Sequence, residues 1–453
     1  MSAEAIQESK NLPIPEIPQL TYEILELVLL QVADEQLLEL TYVSKNFNAL
    51  ISGSLRLMKK LPVHWERVNK FMKPEEFPSI NRKYRKVYAK DTYPLIRFVE
   101  SHTSTLITLD FRGCGIDADE IHEILSILAG SLQELSIRET NIYKLVELPT
   151  IVMPELVSLE VCEDRRSNIA NFLLPLLCAR KLKSFNYEES EDCGTSACDV
   201  LVKFVDSQTE LKNLNVFSLY TSNLVQHFAR VSPAKFKASM IHLKIRGLIS
   251  VEDEDTFSAD LVKFVRTQIE SLTDFMFANC RIEVEQLEMM LKSPCMKSLM
   301  LDECTVTWPQ AIKVKSSSIE KFSVATFVEE CLTTSVLKSC PHVHTIQFKK
   351  VNFIPFELRG FMLRMQLKRL EFDACFDSDG FQSFKFEFSV PTLEELYCAN
   401  MSYLDVINMI RVNPQLKLVE VCKHYKSIPS FQILLNNFSW IAVKYFAEPC
   451  ECG

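Results

Sequence analysis

The chain has 453 residues, 47% hydrophobic and 24% charged, with 50 Lys and Arg against 59 Asp and Glu for a formal charge of −9. Its 9 glycines fall far below the usual share of about 7%, and no G-x-G-x-x-G, G-x-x-x-x-G-K-[ST] or G-x-S-x-G pattern occurs. Dinucleotide, P-loop and serine-hydrolase chemistry therefore lack sequence support, and the acidic balance argues against nucleic acid as a partner.

The first residues, MSAEAIQESKN, are polar and have no basic-then-apolar leader. No later segment approaches the run of about eighteen apolar residues that a membrane helix requires, so neither export nor a membrane partner is expected. Residues 1–16 read as a flexible tail. The 15 cysteines are odd in number and lack a compact spacing, which predicts reduced thiols and a cytoplasmic or nuclear location. Over 17–55, apolar residues three or four apart predict three short helices, Tyr22–Val32, Glu35–Thr41 and Ser44–Ser52, forming a small module. Residues 56–105 are basic and interrupted by Pro62, Pro74 and Pro78. They read as a linker and capping repeat, whose alternating Lys83–Ala89 is an atypical first strand.

From residue 106 to 453 one unit repeats. A hexad of the form L-x-x-L-x-L begins at Leu106, Leu132, Leu156, Leu182, Leu211, Met240, Leu272, Met296, Ile319, Val343, Leu367, Leu393 and Leu416, at a mean spacing near 26 residues. That period lies in the range of leucine-rich repeats, about 20–29 residues. Between hexads the spacing turns helical, as at Ile121, Ile124, Leu125 and Leu128. Strand then helix, stacked unit on unit, gives an α/β fold: a horseshoe solenoid with a parallel sheet, helices outside and a cap at its carboxyl end.

Strand alternation points the second and third apolar residues of each hexad into the core. Residues two, four and six places after the hexad start then face the concave side. Candidate target-binding residues on that side are Phe217, His242, Lys244, Arg246, Arg369, Glu371, Asp373, Glu395 and Tyr397. The expectation is a basic pole near Lys244 and Arg246, an acidic pole from Glu371 to Glu395, and a protein as the ligand.

Eight residues after the hexad start stand Cys114, Cys280, Cys304 and Cys375, which predicts cysteines buried at the turns. The pairs His342 with His344, Cys422 with His424 and Cys450 with Cys452 lack a second half, so no metal site is expected. His122-Glu123 lacks the second histidine of a zinc protease helix. No catalytic residue and no cofactor is called for.

Residues 20–51 resemble the F-box motif without a gap. The match runs through Leu20, Glu23, Ile24, Leu25, Val28, Leu29, Val32, Leu37, Leu38, Leu40, the Val43-Ser44-Lys45 triplet, Phe47 and Leu50, with Leu20-Thr21 where the family usually has Leu-Pro. The repeats resemble the cysteine-containing leucine-rich repeats of ubiquitin-ligase receptors. The order of the two modules resembles an F-box/leucine-rich-repeat substrate receptor of an SCF-type ligase. That resemblance implies a three-helix F-box contacting a Skp-type adaptor of a cullin complex through Leu20, Ile24, Leu25, Val28, Leu29, Val43 and Phe47, while the repeats hold a protein target. Catalysis then belongs to partners. The alternative is a leucine-rich scaffold or inhibitor whose F-box is not used for ubiquitination.

Overall fold

The computed structural model describes residues 21–65, 82–92, 95–163, 168–189, 198–217, 242–246, 260, 263–278, 281–302, 304–307, 312–325, 330–349, 356–373, 389–399 and 401–446. Sixteen strands follow one another through a single sheet in chain order. They are β1 (Val63–His64), β2 (Lys86–Ala89), β3 (Thr108–Arg112), β4 (Glu134–Arg138), β5 (Ser158–Glu163), β6 (Ser184–Glu189), β7 (Asn213–Phe217) and β8 (His242–Arg246), then β9 (Asp274–Ala278), β10 (Ser298–Asp302), β11 (Lys321–Ala325), β12 (Thr345–Lys349), β13 (Arg369–Asp373), β14 (Glu395–Ala399), β15 (Leu418–Cys422) and β16 (Ala442–Phe446). Each pairs in parallel with the next. The hexads predict β3 to β15, and the strand expected within Lys83–Ala89 is β2. The fold is the α/β leucine-rich-repeat solenoid.

The register explains why the hexad is needed. Leu109, Leu135, Leu159, Phe185, Leu214, Leu243 and Phe275 stand opposite one another in successive strands, and all are buried. Leu299, Phe322, Ile346, Leu370, Leu396 and Val419 continue the row. A slip of one residue anywhere would turn a core row into solvent. Helices such as Ala118–Leu128 cover the core face, where Ile121, Ile124, Leu125 and Leu128 are fully enclosed. Each enclosed Leu or Ile contributes about 1.5–3 kcal/mol relative to exposure. No described helix is long and apolar enough to cross a membrane.

The amino-terminal helices pack around a core of their own. α1 (Tyr22–Leu29), α2 (Asp34–Val43), α3 (Lys45–Gly53) and α4 (Leu55–Lys60) enclose Leu29, Leu37, Leu50, Ile51, Leu57, Met58 and Leu61. Ser44 caps α3 by accepting from the Phe47 amide at 3.1 Å, and Ser54 caps α4 through the Leu57 amide at 3.1 Å, a local bond that favours helix initiation. The fourth helix lies in the stretch read from sequence as linker; its cap and its apolar Leu57, Met58 and Leu61 create it. α1 ends before Val32 because the chain turns there, with Lys60 Nζ donating to the carbonyls of Leu30 and Val32. The helices join the solenoid through the Arg82 guanidinium, 3.2 Å from Asn48 Oδ1, and through Tyr84, which packs against both cores.

One buried acid makes a pH-dependent prediction. Asp405, in the first turn of the helix Tyr403–Val412, is 3% exposed, and its Oδ1 finds no hydrogen-bond partner among the described residues. Burial pushes its carboxyl up to about 6, against which only the bond with Ser402 acts. Because the folded value exceeds the unfolded one, the ionised acid opposes folding above pH 6, and this penalty fades as the pH falls towards 4. Asp405→Asn is expected to stabilise the protein at pH 7.5 by about 1–3 kcal/mol and to lose that advantage near pH 4. Urea melts of both proteins at the two pH values check this.

Candidate functional site

Two surfaces carry the residues predicted from sequence to meet partners. The first lies on α1 and α2. Ile24 (47% exposed), Leu27 (55%) and Val28 (50%) share one face of α1, spaced three and four apart, and Tyr42 (79%) and Val43 (69%) close α2. Of the seven residues that the F-box resemblance assigns to adaptor contact, Ile24, Val28 and Val43 are exposed. Leu25 and Phe47 are half-buried against the helical core, and Leu20 lies outside the described residues. Leu29 is a correction: at 2% exposure it belongs to the core, because its place in α1 turns it towards α3 and away from Ile24 and Val28. Leu27 on α1 and Tyr42 on α2 are exposed as well, without having been expected to be. Their signal was the i, i+3 and i, i+4 spacing alone.

The second surface is the face of the sheet that the helices leave open, the concave side in a leucine-rich solenoid. Strand register puts Asn215, Lys244 and Met276 in one row of it and His242 opposite Asp274. Phe217, His242, Lys244 and Arg246 thus occupy β7 and β8 positions of this face, and their side chains lie outside the described set.

Towards the carboxyl end the ion pairs are resolved, and they change the expected acidic pole. The Arg369 guanidinium donates through Nε to Glu371 at 2.7 Å, through Nη1 to Glu395 at 2.7 Å and through Nη2 to Glu420 at 2.8 Å. Lys321 Nζ reaches Glu371 at 2.6 Å, Lys444 Nζ reaches Glu420 at 2.7 Å, and Lys349 lies 3.8 Å from Asp373. Three glutamates therefore meet three cations, and the predicted acidic patch is neutral within itself. The hydrogen bond from Lys444, followed by the bond and charge of Arg369, holds Glu420 below the usual carboxylate range. The three carboxylates drive the Arg369 pKa upward against the opposing effect of burial. Tyr397 is committed as well: its ring stacks on Phe446 with centroids 4.8 Å apart, and Arg369 lies 6.0 Å over it.

A similar web occupies the amino-terminal half. Arg112 grips Asp110 at 2.7 Å, and Arg138 lies 2.5 Å from Glu160, which also accepts from Ser136 at 3.0 Å and Asn186 at 2.9 Å. Cys162 sits between Glu160 and Glu188; burial first, then those two charges, push its thiol up to about 12. Between the two webs lies a trough of about 480 Å³ whose lining includes Asn186, Asn215, Met276, Met300, Ser323 and Gln347 together with the charged Asp274 and Lys321. These residues were missed in the sequence. The same two-four-six rule, applied to every hexad, places them on this face.

The turn cysteines behave structurally. Cys114 Sγ lies 3.7 Å from the buried Thr140 hydroxyl, at the equivalent place one repeat on, and Cys304 Sγ donates to the Asp302 carbonyl at 3.2 Å. Cys280 and Cys375 fall outside the described residues. His122 Nε2 meets the Pro149 carbonyl at 2.9 Å. All 15 cysteines are expected to take an alkylating label when the protein is denatured without reductant; disulfide-linked peptides in a digest of protein from cells lysed with that label contradict this.

No family model matches the sequence, and no curated protein matches it. Among solved structures, the chain is similar to one in the crystal structure of the Rad7 and Elc1 complex in yeast, with 15% identity and a TM-score of 0.44 over 74% of this chain and 88% of that one. It is also similar to TLR13 in its complex with ssRNA13, at 13% identity and a TM-score of 0.41, over 81% of this chain and 54% of that one.

Proposed function

We propose that the chain is the substrate-recognition subunit of a cullin-RING (SCF-type) ubiquitin ligase, with α1 and α2 docking on a Skp-type adaptor and the open face of the sheet holding a protein target. The observation that carries this reading is the exposed apolar set Ile24, Leu27, Val28, Tyr42 and Val43. A module that merely closed a solenoid would present a polar outer face. The chain itself breaks and forms no bond. It raises the effective concentration of a target lysine beside a ubiquitin-charged enzyme, which is a positional effect.

The form of the open face narrows how the target is held. Both ends of it are cross-linked by their own ion pairs, so charges there are already satisfied and rigid. The trough offers amide, hydroxyl and thioether groups beside Asp274 and Lys321, which suit a target segment that combines hydrogen bonds with apolar contact. The test is capture of the tagged full-length chain from cells with and without proteasome inhibition. The expected result is recovery of a Skp-type adaptor and a cullin, with further proteins that accumulate only under inhibition. Stable partners unaffected by inhibition, recovered without an adaptor, would support the scaffold and contradict the ligase.

A further inference from the structure

One unit of the solenoid lacks its outer helix. The unit that starts at Leu132 reaches the next at Leu156 after 24 residues, against a mean near 26, and residues 139–157, between β4 and β5, form no helix. Lys144 takes a left-handed φ of 52°, and Pro149 and Pro154 cannot continue a helical ladder. Instead Asn141–Tyr143 pairs with Gly115–Asp117, and Ile151–Val152 pairs with Leu177–Cys178. The segment is thus tied to the units on both sides, and it seals the core with Ile142, Ile151 and Met153, all buried. Leu145 and Val146 are surplus to that core, each 52% exposed. Beside them a groove of about 560 Å³ remains. Leu145, Val146 and Leu148 form one wall, and Phe172, Pro175 and Leu176 of the helix Ile169–Leu176 form the other. Helices packed side by side stand about 8–10 Å apart, so the width left by one missing helix takes one helix and no more. Contiguous exposed apolar surface marks contact with another molecule.

The surroundings of the groove are acidic. Residues 113–163 hold ten Asp and Glu and two bases, Arg138 and Lys144, and both bases are already bound, to Glu160 and Asp117. Glu147 is the one charged residue on the described lining; it is exposed and makes no ion pair among the described residues. Asp119 is exposed on the neighbouring helix Ala118–Leu128, three residues before His122, whose ring meets the Pro149 carbonyl; that spacing puts it on the same side of its helix. These acids select the occupant. A second copy could offer α1 with its exposed Ile24, Leu27 and Val28, but that helix carries Glu23 and Glu26 and no cation, so like charges would meet across the contact. We infer that the groove receives an amphipathic helix of another protein, with apolar residues three and four apart lying over Val146, Leu148, Phe172 and Leu176 and with Lys or Arg beside that stripe, towards Glu147 and Asp119. Recognition of a helix in a groove reads that spacing. This surface lies on the helical side of the solenoid and shares no residue with the trough or with α1 and α2, so it stands whether or not the chain serves a ligase.

The experiment pans a displayed library of random peptides, about sixteen residues long so that a helix can form, against immobilised full-length protein. A synthetic consensus peptide is then measured by fluorescence anisotropy and circular dichroism. Enriched peptides should carry apolar residues three and four apart beside Lys or Arg, and the consensus peptide should gain helix on binding. Val146→Asp and Glu147→Lys, both at exposed positions, should each weaken binding at least tenfold. Exchanging the basic residues of the peptide for Glu should restore binding to Glu147→Lys and abolish binding to the parent. The Ile24→Asp, Val28→Asp chain should bind as the parent does, which keeps this groove distinct from the adaptor face. If Val146→Asp fails to melt like the parent, Leu145→Asp takes its place. Four results overturn the inference: no peptide above background, peptides without the helical spacing or without basic enrichment, binding indifferent to the groove variants, or binding lost in the α1 variant.

Discussion

A chain carrying both Ile24→Asp and Val28→Asp is expected to lose its Skp-type adaptor while melting like the parent. Both side chains are about half exposed on one face of α1, so the acids meet water in the free protein and the helical core of Leu29, Leu37 and Leu50 is untouched. In a complex the same acids would be desolvated against an apolar partner. Aliphatic anchors at the centre of an interface cost about 2 kcal/mol or more each when truncated, so losing both weakens binding by roughly a thousandfold. Leu29→Asp provides the contrast: it places a charge inside the core and should unfold the module, so its loss of binding would say nothing about contact. Affinity capture beside a thermal melt separates the two, and undiminished adaptor recovery by the double variant contradicts the assignment of this face.

The second large effect is expected at Arg369. Arg369→Ala leaves Glu371, Glu395 and Glu420 around a missing centre, with Lys321 and Lys444 remaining at the margins. Removing one member of a buried ionic group costs about 3–5 kcal/mol. Arg369 retains 24% exposure, and solvent screening reduces the expectation to about 1–3 kcal/mol. Arg369→Lys should recover only part of this, since an ammonium cannot present three separate donors in a fixed fork. The sign of the pH dependence follows from Glu420, whose folded pKa is lowered by Lys444 and Arg369. Its contribution is present above the ordinary carboxylate range and is lost as the pH falls through the lowered value, so parent and variant should differ most near neutrality and converge in acid. Denaturant melts from pH 7 to pH 3 measure it.

The sheet was legible because each strand needs two inward apolar residues at fixed places, and a unit that cannot bury them alone must repeat them. The hexads from Leu106 to Leu416 satisfy that need one by one. β16 escaped because Trp440 takes the place of the usual leucine. The helix Leu55–Lys60 escaped because six residues give too short a period to read. The ion web around Arg369 was hidden for a different reason. The two-four-six rule gave the face of Glu371 and Glu395, yet the cations that offset them come from up to 50 residues away in sequence, as Lys321 does for Glu371. Composition along one strand cannot show which neighbours neutralise it; that takes the register of β11 through β16 together. Leu29 illustrates the same limit on a helix, where a motif position names a residue without saying which side it faces.

The most direct test of the central claim is to mix the purified full-length chain with a purified Skp-type adaptor at about 10 μM each, above a micromolar Kd, and follow them by size-exclusion chromatography with light scattering. The account predicts a single peak with the mass of a one-to-one complex, absent for the Ile24→Asp, Val28→Asp chain. Separate elution of the two parent proteins, with the chain folded, would contradict it.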